Sequence, residues 1–289
     1  MSRRSSTPIE LSATWSVAGK VLDLSRPLIM GIVNVTPDSF SDGGSYLSAP
    51  AALAHAERLI AEGADLLDIG GESTRPGAAE VSETEELDRV LPLVEALRDS
   101  GVTISVDTSK PAVMRAALAA GAAVLNDVRA FRAQGALEAV RGSDCGLVLM
   151  HMLGSPRTMQ SEPQYANVVA DVAAFLRGRV ADLANAGVDL CRTAIDPGFG
   201  FGKSVEHNFA LLRRLPALQA IGRPVLVGLS RKSMLGAVTG RTVNERVAAS
   251  VAAAVLAVER GARIVRVHDV AATRDALQVW AATVTREEQ

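Results

Sequence analysis

Short apolar segments of this chain each end at a side chain that can ionise or form a hydrogen bond. The positions that close them are Asn34, Asp68 with Glu72, Asp107, Asn126 with Asp127, His151, Asp196, Ser230 with Lys232, and Arg266 with His268. If the segments are strands whose carboxyl ends meet at one rim, these groups share a partly desolvated site, where unpaired polar groups are costly. The pattern therefore predicts a deep polar site. For any single position, a strand terminator or capping residue is the alternative.

The acceptors in this set suit a flat heterocycle with an edge rich in N–H groups. Asp107 and Asp196 offer carboxylates, and Asn126 offers an amide. A carboxylate can accept two parallel N–H bonds from a guanidine-like pyrimidine edge. These residue types thus predict recognition of such a ring.

The cationic side chains predict a phosphate or diphosphate site. They are Arg75, Lys232, Arg266 and, when protonated, His268. Arg266 and His268 are two residues apart and so share one face of a strand. Asn34 could position a phosphate or ligate Mg²⁺, which prefers oxygen ligands and keeps several waters. A turn-starting amide is the alternative for Asn34.

Other chemistries fit the residues less well. The segment PGFGFGKS (197–204) resembles a P-loop, but that motif needs glycine where Pro197 stands. Lys232 could form a Schiff base, but no feature of the sequence lowers its pKa. For His151, a structural hydrogen bond explains the position at least as well as catalysis. No HExxH motif or His/Cys cluster indicates zinc.

The apolar segments and the helical patterns between them predict the fold. The segments cover 28–34, 65–70, 102–107, 122–127, 146–151, 192–196, 224–230 and 263–268. Near-continuous hydrophobicity is typical of parallel strands buried on both faces. Ser82 with Glu85, and Thr242 with Glu245, have the capping-box spacing of helix starts. Eight strand–helix units predict an α/β protein with a closed (β/α)8 TIM barrel, and a doubly wound open sheet is the alternative.

The N-terminal segment has a different pattern. IELSATWSVAGKVLDLS (9–25) contains two short stretches around Ala-Gly-Lys and predicts a small β-hairpin. We expect this hairpin to cover the bottom of the barrel. The predicted organisation is a tail and hairpin at 1–27, followed by one barrel domain at 28–285.

Composition limits the class of protein. The chain has 289 residues, 48% of them apolar, and a net charge of −2, which gives no sign of a nucleic-acid or membrane surface. Cys145 and Cys191 lack CxxC spacing and are expected to be buried thiols in a reducing compartment. We find no signal peptide and no apolar run long enough to span a membrane. A cytoplasmic protein is therefore expected.

Longer motifs follow one another through every barrel unit. They are MGIVNVTPDSFSDGG (30–44), DIGGESTRPG (68–77), SVDTSK (105–110), LNDV (125–128), MHMLGSPRTMQ (150–160), DPGFGFGK (196–203), GLSRKSMLG (228–236) and RVHDV (266–270). In these motifs the chain closely resembles the dihydropteroate synthases, the pterin-binding enzymes of the folate pathway that sulfonamides inhibit.

The resemblance implies a reaction and roles for particular residues. A 7,8-dihydropterin-6-ylmethyl diphosphate loses pyrophosphate, and the amine of p-aminobenzoate attacks the methylene carbon to give 7,8-dihydropteroate. The pterin would be bound by Asp107, Asn126, Asp196, Lys232 and Arg266, and the diphosphate by Asn34, Thr74, Arg266 and His268, with Asn34 on Mg²⁺. p-Aminobenzoate would be bound by Phe40, Thr74, Pro76, Phe199, Lys232 and Ser233. The residues that would act in catalysis are Asn34, Asp42, Lys232, Arg266 and His268. The first two strand-to-helix loops are rich in glycine and proline, and we expect them to close over the substrates.

Two other functions remain open at this point. A pterin-binding methyltransferase would share the barrel, but TPDSFSDGG and SRKS fit a synthase more closely. A non-catalytic paralogue would keep the pterin site without turnover. The family commonly dimerises through late helices, and the segment RVAASVAAAVLAVERG (246–261), with small and apolar residues nearly all round, agrees with a homodimer.

Overall fold

The computed structural model describes residues 13–36, 49–73, 78–154 and 163–284, and strands alternate with helices along them. The strands are β1 Thr14–Val17, β2 Lys20–Asp23, β3 Leu28–Asn34, β4 Leu66–Gly70, β5 Thr103–Asp107, β6 Val124–Asp127, β7 Gly146–Met150, β8 Thr193–Asp196, β9 Leu226–Val227 and β10 Ile264–Val267. The helices are α1 Ala49–Ala61, α2 Glu83–Leu97, α3 Pro111–Ala120, α4 Ala136–Arg141, α5 Val168–Asn185, α6 Val205–Arg213, α7 Pro216–Gln219, α8 Ser233–Thr239, α9 Val247–Glu259 and α10 Val270–Val284.

Strands β3 to β10 form one parallel sheet in the order β8-β7-β6-β5-β4-β3-β10-β9. A parallel bridge between Ile195 and Val225 joins β8 to the residues just before β9, and the Ile195 N–H donates to the Pro224 carbonyl over 2.9 Å. This contact brings the two ends of the sheet together. The predicted (β/α)8 barrel is confirmed, and the open-sheet alternative is wrong. β9 is shorter than its apolar segment because only Leu226 and Val227 pair in register with β10.

Alternation along the strands explains why the apolar segments are nearly continuous. Outward side chains such as Ile29, Leu67 and Val265 join one large hydrophobic cluster with residues of the surrounding helices. Inward side chains such as Met30, Leu66 and Val148 form a second cluster inside the barrel. Most inward polar positions lie toward the carboxyl ends of the strands, so the apolar pattern stops where the site begins.

The N-terminal hairpin closes the opposite end of the barrel, as predicted. β1 and β2 pair antiparallel around Ala18 and Gly19, which both have positive φ, as tight hairpin turns require. Trp15 is fully buried in the inner cluster, and its indole N–H donates to the Arg192 carbonyl over 2.7 Å. A tryptophan with its polar end satisfied therefore seals the barrel bottom.

Of the two predicted helix starts, the one at Ser82 caps an α-helix and the one at Thr242 does not. The Ser82 hydroxyl accepts the Glu85 N–H over 3.2 Å and caps α2. Thr242 and Glu245 do form a capping box, but it encloses a short 3₁₀ turn, Val243–Glu245, and α9 begins at Val247. Among the described residues, no helix has both the length and the apolar character that crossing a membrane requires.

Candidate active site

Inward-facing polar side chains converge at the carboxyl ends of the barrel strands. Asn34, Gly70, Asp107 and Asn126 are register partners across four adjacent strands, and Asp196 ends β8 beside Met150. Gly70 leaves open the space next to Asn34, whose Oδ1 atom lies 3.7 Å from where a Cβ at Gly70 would stand. The structure thus brings the predicted acceptors to one rim.

A buried carboxyl group, Asp68, connects several of these residues. Its Oδ2 atom accepts the Arg266 Nε–H over 2.5 Å and the Asn126 Nδ2–H over 3.0 Å, while Oδ1 accepts the Ser105 hydroxyl over 2.6 Å. Arg266 also donates through Nη2 to Asp107 over 3.0 Å. Asp68 was predicted to lie at a strand end, with no specific role in the site. Asp68 lies two residues after Leu66, which faces inward, and residues two apart on a strand share a face. This spacing was the signal that Asp68 faces the barrel interior.

Asp107 and Lys232 both have strongly shifted pKa values. Burial raises the pKa of Asp107 to about 8; the Arg266 charge opposes this shift and nearby Asp68 adds to it. Burial lowers the pKa of Lys232 to about 8, and the Arg266 charge lowers it further, while Asp196 and Asp107 oppose the change. Only the tertiary structure reveals the shift of Lys232, which no sequence feature predicts.

Asn126 presents an unsatisfied acceptor. Its Nδ2 group donates to Asp68, and among the described residues its buried Oδ1 atom has no hydrogen-bond partner. Buried acceptors without partners are rare and costly in folded proteins. The Asn126 Oδ1 atom is therefore available to accept a hydrogen bond from a ligand.

The loop after β8 holds Asp196 in place. The Asp196 Oδ1 atom accepts the Gly198 N–H over 2.7 Å. Gly198 has φ +69, and a Cβ there would lie 1.9 Å from the His151 carbonyl oxygen, so no other residue fits without rearrangement. Burial raises the pKa of Asp196, and this N–H bond opposes the shift.

Lys203 stabilises this loop by hydrogen bonds to its backbone carbonyls. Its ammonium donates to the carbonyls of Gly198 over 2.8 Å and Phe201 over 2.9 Å, and to His151 Nδ1 over 3.0 Å. Burial lowers the pKa of Lys203 to about 7 and that of His151 to about 3. The lysine of PGFGFGKS is therefore an internal brace, in agreement with rejecting a P-loop, and His151 forms a structural hydrogen bond.

The aromatic residues of the loop face different surroundings. Phe199, predicted to contact p-aminobenzoate, is 1% exposed and packs in the outer hydrophobic cluster. Phe201 packs against Val128, Met150 and Met152, and the Lys232 ammonium lies 4.3 Å from the centroid of its ring. Phe201, which was not among the predicted site residues, forms part of an apolar wall beside Asp196.

His268 is positioned by Ser230, which lies three residues after the neighbouring strand β9. The Ser230 hydroxyl oxygen accepts the His268 backbone N–H over 3.2 Å and lies 2.9 Å from Nδ1. Burial lowers the pKa of His268 to about 3, with Arg266 and Arg231 adding to the shift. The imidazole is therefore neutral near pH 7. If Ser230 donates to Nδ1, the ring proton is on Nε2, where it can serve a ligand.

The remaining predicted site residues lie at the rim or outside the described residues. Ser233 is exposed at the start of α8, directly after Lys232. Phe40, Asp42, Thr74, Arg75 and Pro76 lie outside the described residues.

A buried ion-pair cluster supports the start of the β4–α2 loop. The Lys110 ammonium contacts Glu72 over 2.6 Å and Glu86 over 2.5 Å, and Glu86 is fully buried. The Glu72 Oε1 atom also accepts the Val81 N–H over 3.2 Å. Glu72 is thus held from both sides, immediately before the segment that contains Thr74 and Pro76.

Few protein atoms among the described residues could ligate a metal ion. The described residues contain no group of three or more His, Cys, Asp or Glu side chains that could hold a metal ion. Asn34 offers one amide oxygen at the end of β3, which suits Mg²⁺ because this ion takes oxygen ligands and keeps water and substrate phosphate around it. The donor chemistry thus fits a metal shared with a diphosphate and does not fit an all-protein cage.

Comparison with known proteins identifies the family. Residues 30–268 match the family model described as pterin binding enzyme. The chain is 54% identical over 265 residues to the dihydropteroate synthase of Haemophilus influenzae, which covers 91% of this chain and 96% of that protein. The chain belongs to the dihydropteroate synthase family.

Solved structures of the family share the whole barrel. A Burkholderia cenocepacia dihydropteroate synthase complexed with 7,8-dihydropteroate matches with a TM-score of 0.87 and 58% identity, over 94% of this chain and 97% of that one. A Xanthomonas albilineans dihydropteroate synthase with 4-aminobenzoic acid matches with a TM-score of 0.89 and 55% identity, over 95% and 99%. The predictions of a pterin-binding barrel, a transferase and a dihydropteroate synthase function are confirmed.

Proposed function

We propose that this protein joins 7,8-dihydropterin-6-ylmethyl diphosphate to p-aminobenzoate, releasing pyrophosphate, with the rim residues in the roles described below. The observation that carries the proposal is the meeting of two kinds of group at one rim. Acceptors for a ring edge, Asp107, Asn126 and Asp196, lie beside the donors Lys232 and Arg266.

The acceptors would read the amino-pyrimidine edge of the pterin. Asn126 offers its unpartnered oxygen, and the two aspartates offer carboxyl groups whose pKa values burial raises. Phe201 and the methionines beside it give the flat ring an apolar wall. Lys232, between that wall and the aspartates, can donate to a ring oxygen.

The leaving diphosphate would be held by Arg266 and His268. Arg266 uses Nε and one Nη for Asp68 and Asp107, and its other Nη can meet a phosphate. His268 contributes a neutral N–H rather than a charge. Asn34 would hold Mg²⁺, which, when bound, neutralises charge on the departing diphosphate.

The bond-breaking step needs no strong base. As the diphosphate leaves, positive charge develops on the methylene carbon, and the electron-rich pterin delocalises it. When ionised, the carboxyl groups of Asp107 and Asp196 favour this cation electrostatically. The amine of p-aminobenzoate is uncharged at pH 7, so it can attack without a general base, and the proton that its nitrogen then loses passes to the released diphosphate or to water.

Lys232 and Ser233, at the start of α8, would hold the p-aminobenzoate carboxylate. Phe40, Asp42, Thr74 and Pro76 keep their proposed roles, with Asp42 at the metal or the attacking amine. Phe199 would act from behind the loop, since its ring is buried in the outer cluster.

We also propose a homodimer through the last helices. Leu256 on α9 and Val279 on α10 are 45% and 67% exposed, although both side chains are apolar. Neighbouring helices that expose such residues suit a second copy of the chain. Sedimentation of the protein and of Val279→Lys tests this, because a monomeric wild-type protein would refute the dimer.

A cytoplasmic location is proposed on the state of the cysteines. Cys145 is buried and Cys191 exposed, and both are free thiols, which suits a reducing compartment. The prediction that both are buried was wrong for Cys191, which follows the Asp189 cap on the surface.

The direct test is turnover of the purified protein with Mg²⁺, the pterin diphosphate and p-aminobenzoate. Formation of 7,8-dihydropteroate is expected. Pterin binding without product would instead support a non-catalytic paralogue. Asp196→Asn tests the assignment of the ring edge, because it should abolish pterin binding; unchanged affinity would refute that assignment.

A further inference from the structure

We propose that Asp68 is the positioning residue that orients both Asn126 and Arg266 for the pterin substrate. This inference rests on the proposed function and adds a residue without direct contact to substrate. It begins from one oxygen atom, Asp68 Oδ2, which accepts hydrogen bonds from both side chains.

The carboxyl group of Asp68 determines which end of the Asn126 amide faces the ligand. If the amide were reversed, its oxygen would meet the Asp68 oxygen at 3.0 Å, and two acceptors would face each other. The NH₂ group must therefore point to Asp68. The opposite end, Oδ1, is left as a buried acceptor for the substrate.

The same carboxyl group sets the plane of the Arg266 guanidinium. Nε binds Asp68 over 2.5 Å and Nη2 binds Asp107 over 3.0 Å, so two carboxyl groups on different strands fix the fork. Asp68 is fully buried and is itself held by the buried Ser105 hydroxyl over 2.6 Å. A residue fixed by three donors provides a rigid reference for both ligand-binding side chains.

Conservative replacement can separate orientation from simple loss of structure. In Asp68→Asn, the amide oxygen can take the position of Oδ2 and accept from Asn126 and Arg266, while its NH₂ group donates to Ser105, whose oxygen can accept. In Asp68→Ala no acceptor remains, and the Asn126 amide can turn. We therefore expect Ala to weaken pterin binding and Asn to restore most of it.

The chain offers a matched control in Asp127. It is equally buried, but it follows the inward-facing Asn126 on β6 and so lies on the opposite face, outside the site. Its oxygens accept the backbone N–H groups of Arg129 and Phe131, each over 2.7 Å. Asp127→Asn makes the same chemical change without touching Asn126 or Arg266 through their side chains. It is expected to alter stability and leave the affinity for the pterin ring near that of the wild type.

The experiment is calorimetric titration of the full-length variants with 6-hydroxymethylpterin, together with steady-state kinetics. Hydrogen bonds to charged groups are worth roughly one to two factors of ten in an equilibrium constant, so Asp68→Ala should bind the pterin about 10- to 100-fold more weakly. Its KM for the pterin diphosphate should rise, while its KM for p-aminobenzoate stays within about twofold, since Asp68 orients only the pterin-binding groups. General loosening would raise both KM values.

A second measurement uses the wild-type protein and does not depend on whether Asp68→Ala folds. The side-chain NH₂ resonances of Asn126, assigned by their loss in Asn126→Asp, should exchange slowly with water in the free protein, because Asp68 holds them in a buried hydrogen bond. Fast exchange would overturn the proposal. So would unchanged pterin affinity in Asp68→Ala, no recovery in Asp68→Asn, or an equal loss in Asp127→Asn. If the wild-type protein itself does not bind the pterin, the proposed function fails first.

Discussion

Removing the Lys110 ammonium should destabilise the protein strongly, because it would leave a buried carboxylate without a counter-charge. Lys110 lies between Glu72 and Glu86 at 2.6 and 2.5 Å, and the Glu86 side chain is 0% exposed. Burial alone would lower the pKa of Lys110, but the hydrogen bonds that its ammonium donates to Glu72 and Glu86 outweigh burial and raise it. The cluster therefore favours the charged lysine.

The magnitude follows from the burial of the partners. Breaking a buried ion pair by removing one member costs about 3–5 kcal/mol, whereas an exposed pair is worth about 0–1 kcal/mol. The pair with Glu86 is a buried ion pair, whereas the pair with Glu72, which has 23% of its side chain exposed, is closer to an exposed one. We expect Lys110→Met to lower the free energy of unfolding by about 3–4 kcal/mol.

Equilibrium unfolding in denaturant measures this loss, with Lys20→Met as the control. Lys20 is an exposed hairpin residue, so its replacement should change stability by less than about 0.5 kcal/mol. Adding Glu86→Gln to Lys110→Met removes the uncompensated charge and should recover about half of the lost stability. The reasoning is refuted if Lys110→Met costs less than about 1 kcal/mol, or if the double variant is no more stable than the single one.

Three further predictions follow from the site. The affinity for inorganic pyrophosphate should fall as pH rises through about 8, because burial places the pKa of both Lys232 and Asp107 there. Above that pH the lysine loses a positive charge and the aspartate gains a negative one. Calorimetry from pH 6.5 to 9 checks this, and rising affinity would contradict it. Lys203→Met should cost about 2–4 kcal/mol of stability and weaken pterin binding, since the Gly198 and Phe201 carbonyls of the Asp196 loop would lose their hydrogen-bond donor. Unfolding and pterin titration measure the two effects. A variant equal to the wild type in both would show that Lys203 does not stabilise the loop. Ser230→Ala should weaken pyrophosphate binding about 3- to 10-fold by releasing the His268 ring, at a stability cost of about 1 kcal/mol; an affinity equal to that of the wild type would show that Ser230 does not orient His268.

Much of the barrel could be predicted because its pattern is local. Each strand buries its outward side chains under helices and its lower inward side chains in the barrel, so the apolar segment marks the strand, as at 28–34, where prediction and structure agree. The shortest strand, Leu226–Val227, was predicted too long, since apolar residues at 224–230 show burial but not pairing. The capping box at Thr242 misplaced the start of α9 for a similar reason: the local bonds form, but around a single 3₁₀ turn.

The sequence by itself determined the order of the strands, the polar residue at the end of each one and the family of the protein, since these depend on spacing along the chain. Only the tertiary structure decided which of those residues bind each other and in what charge state. Arg266 meets Asp68 and Asp107 across 198 and 159 residues, His268 is neutral, and Lys232 has a lowered pKa. Hydrogen bonds and pKa values depend on distances between atoms of separate strands and on the water excluded around them, and both are fixed only when the barrel closes.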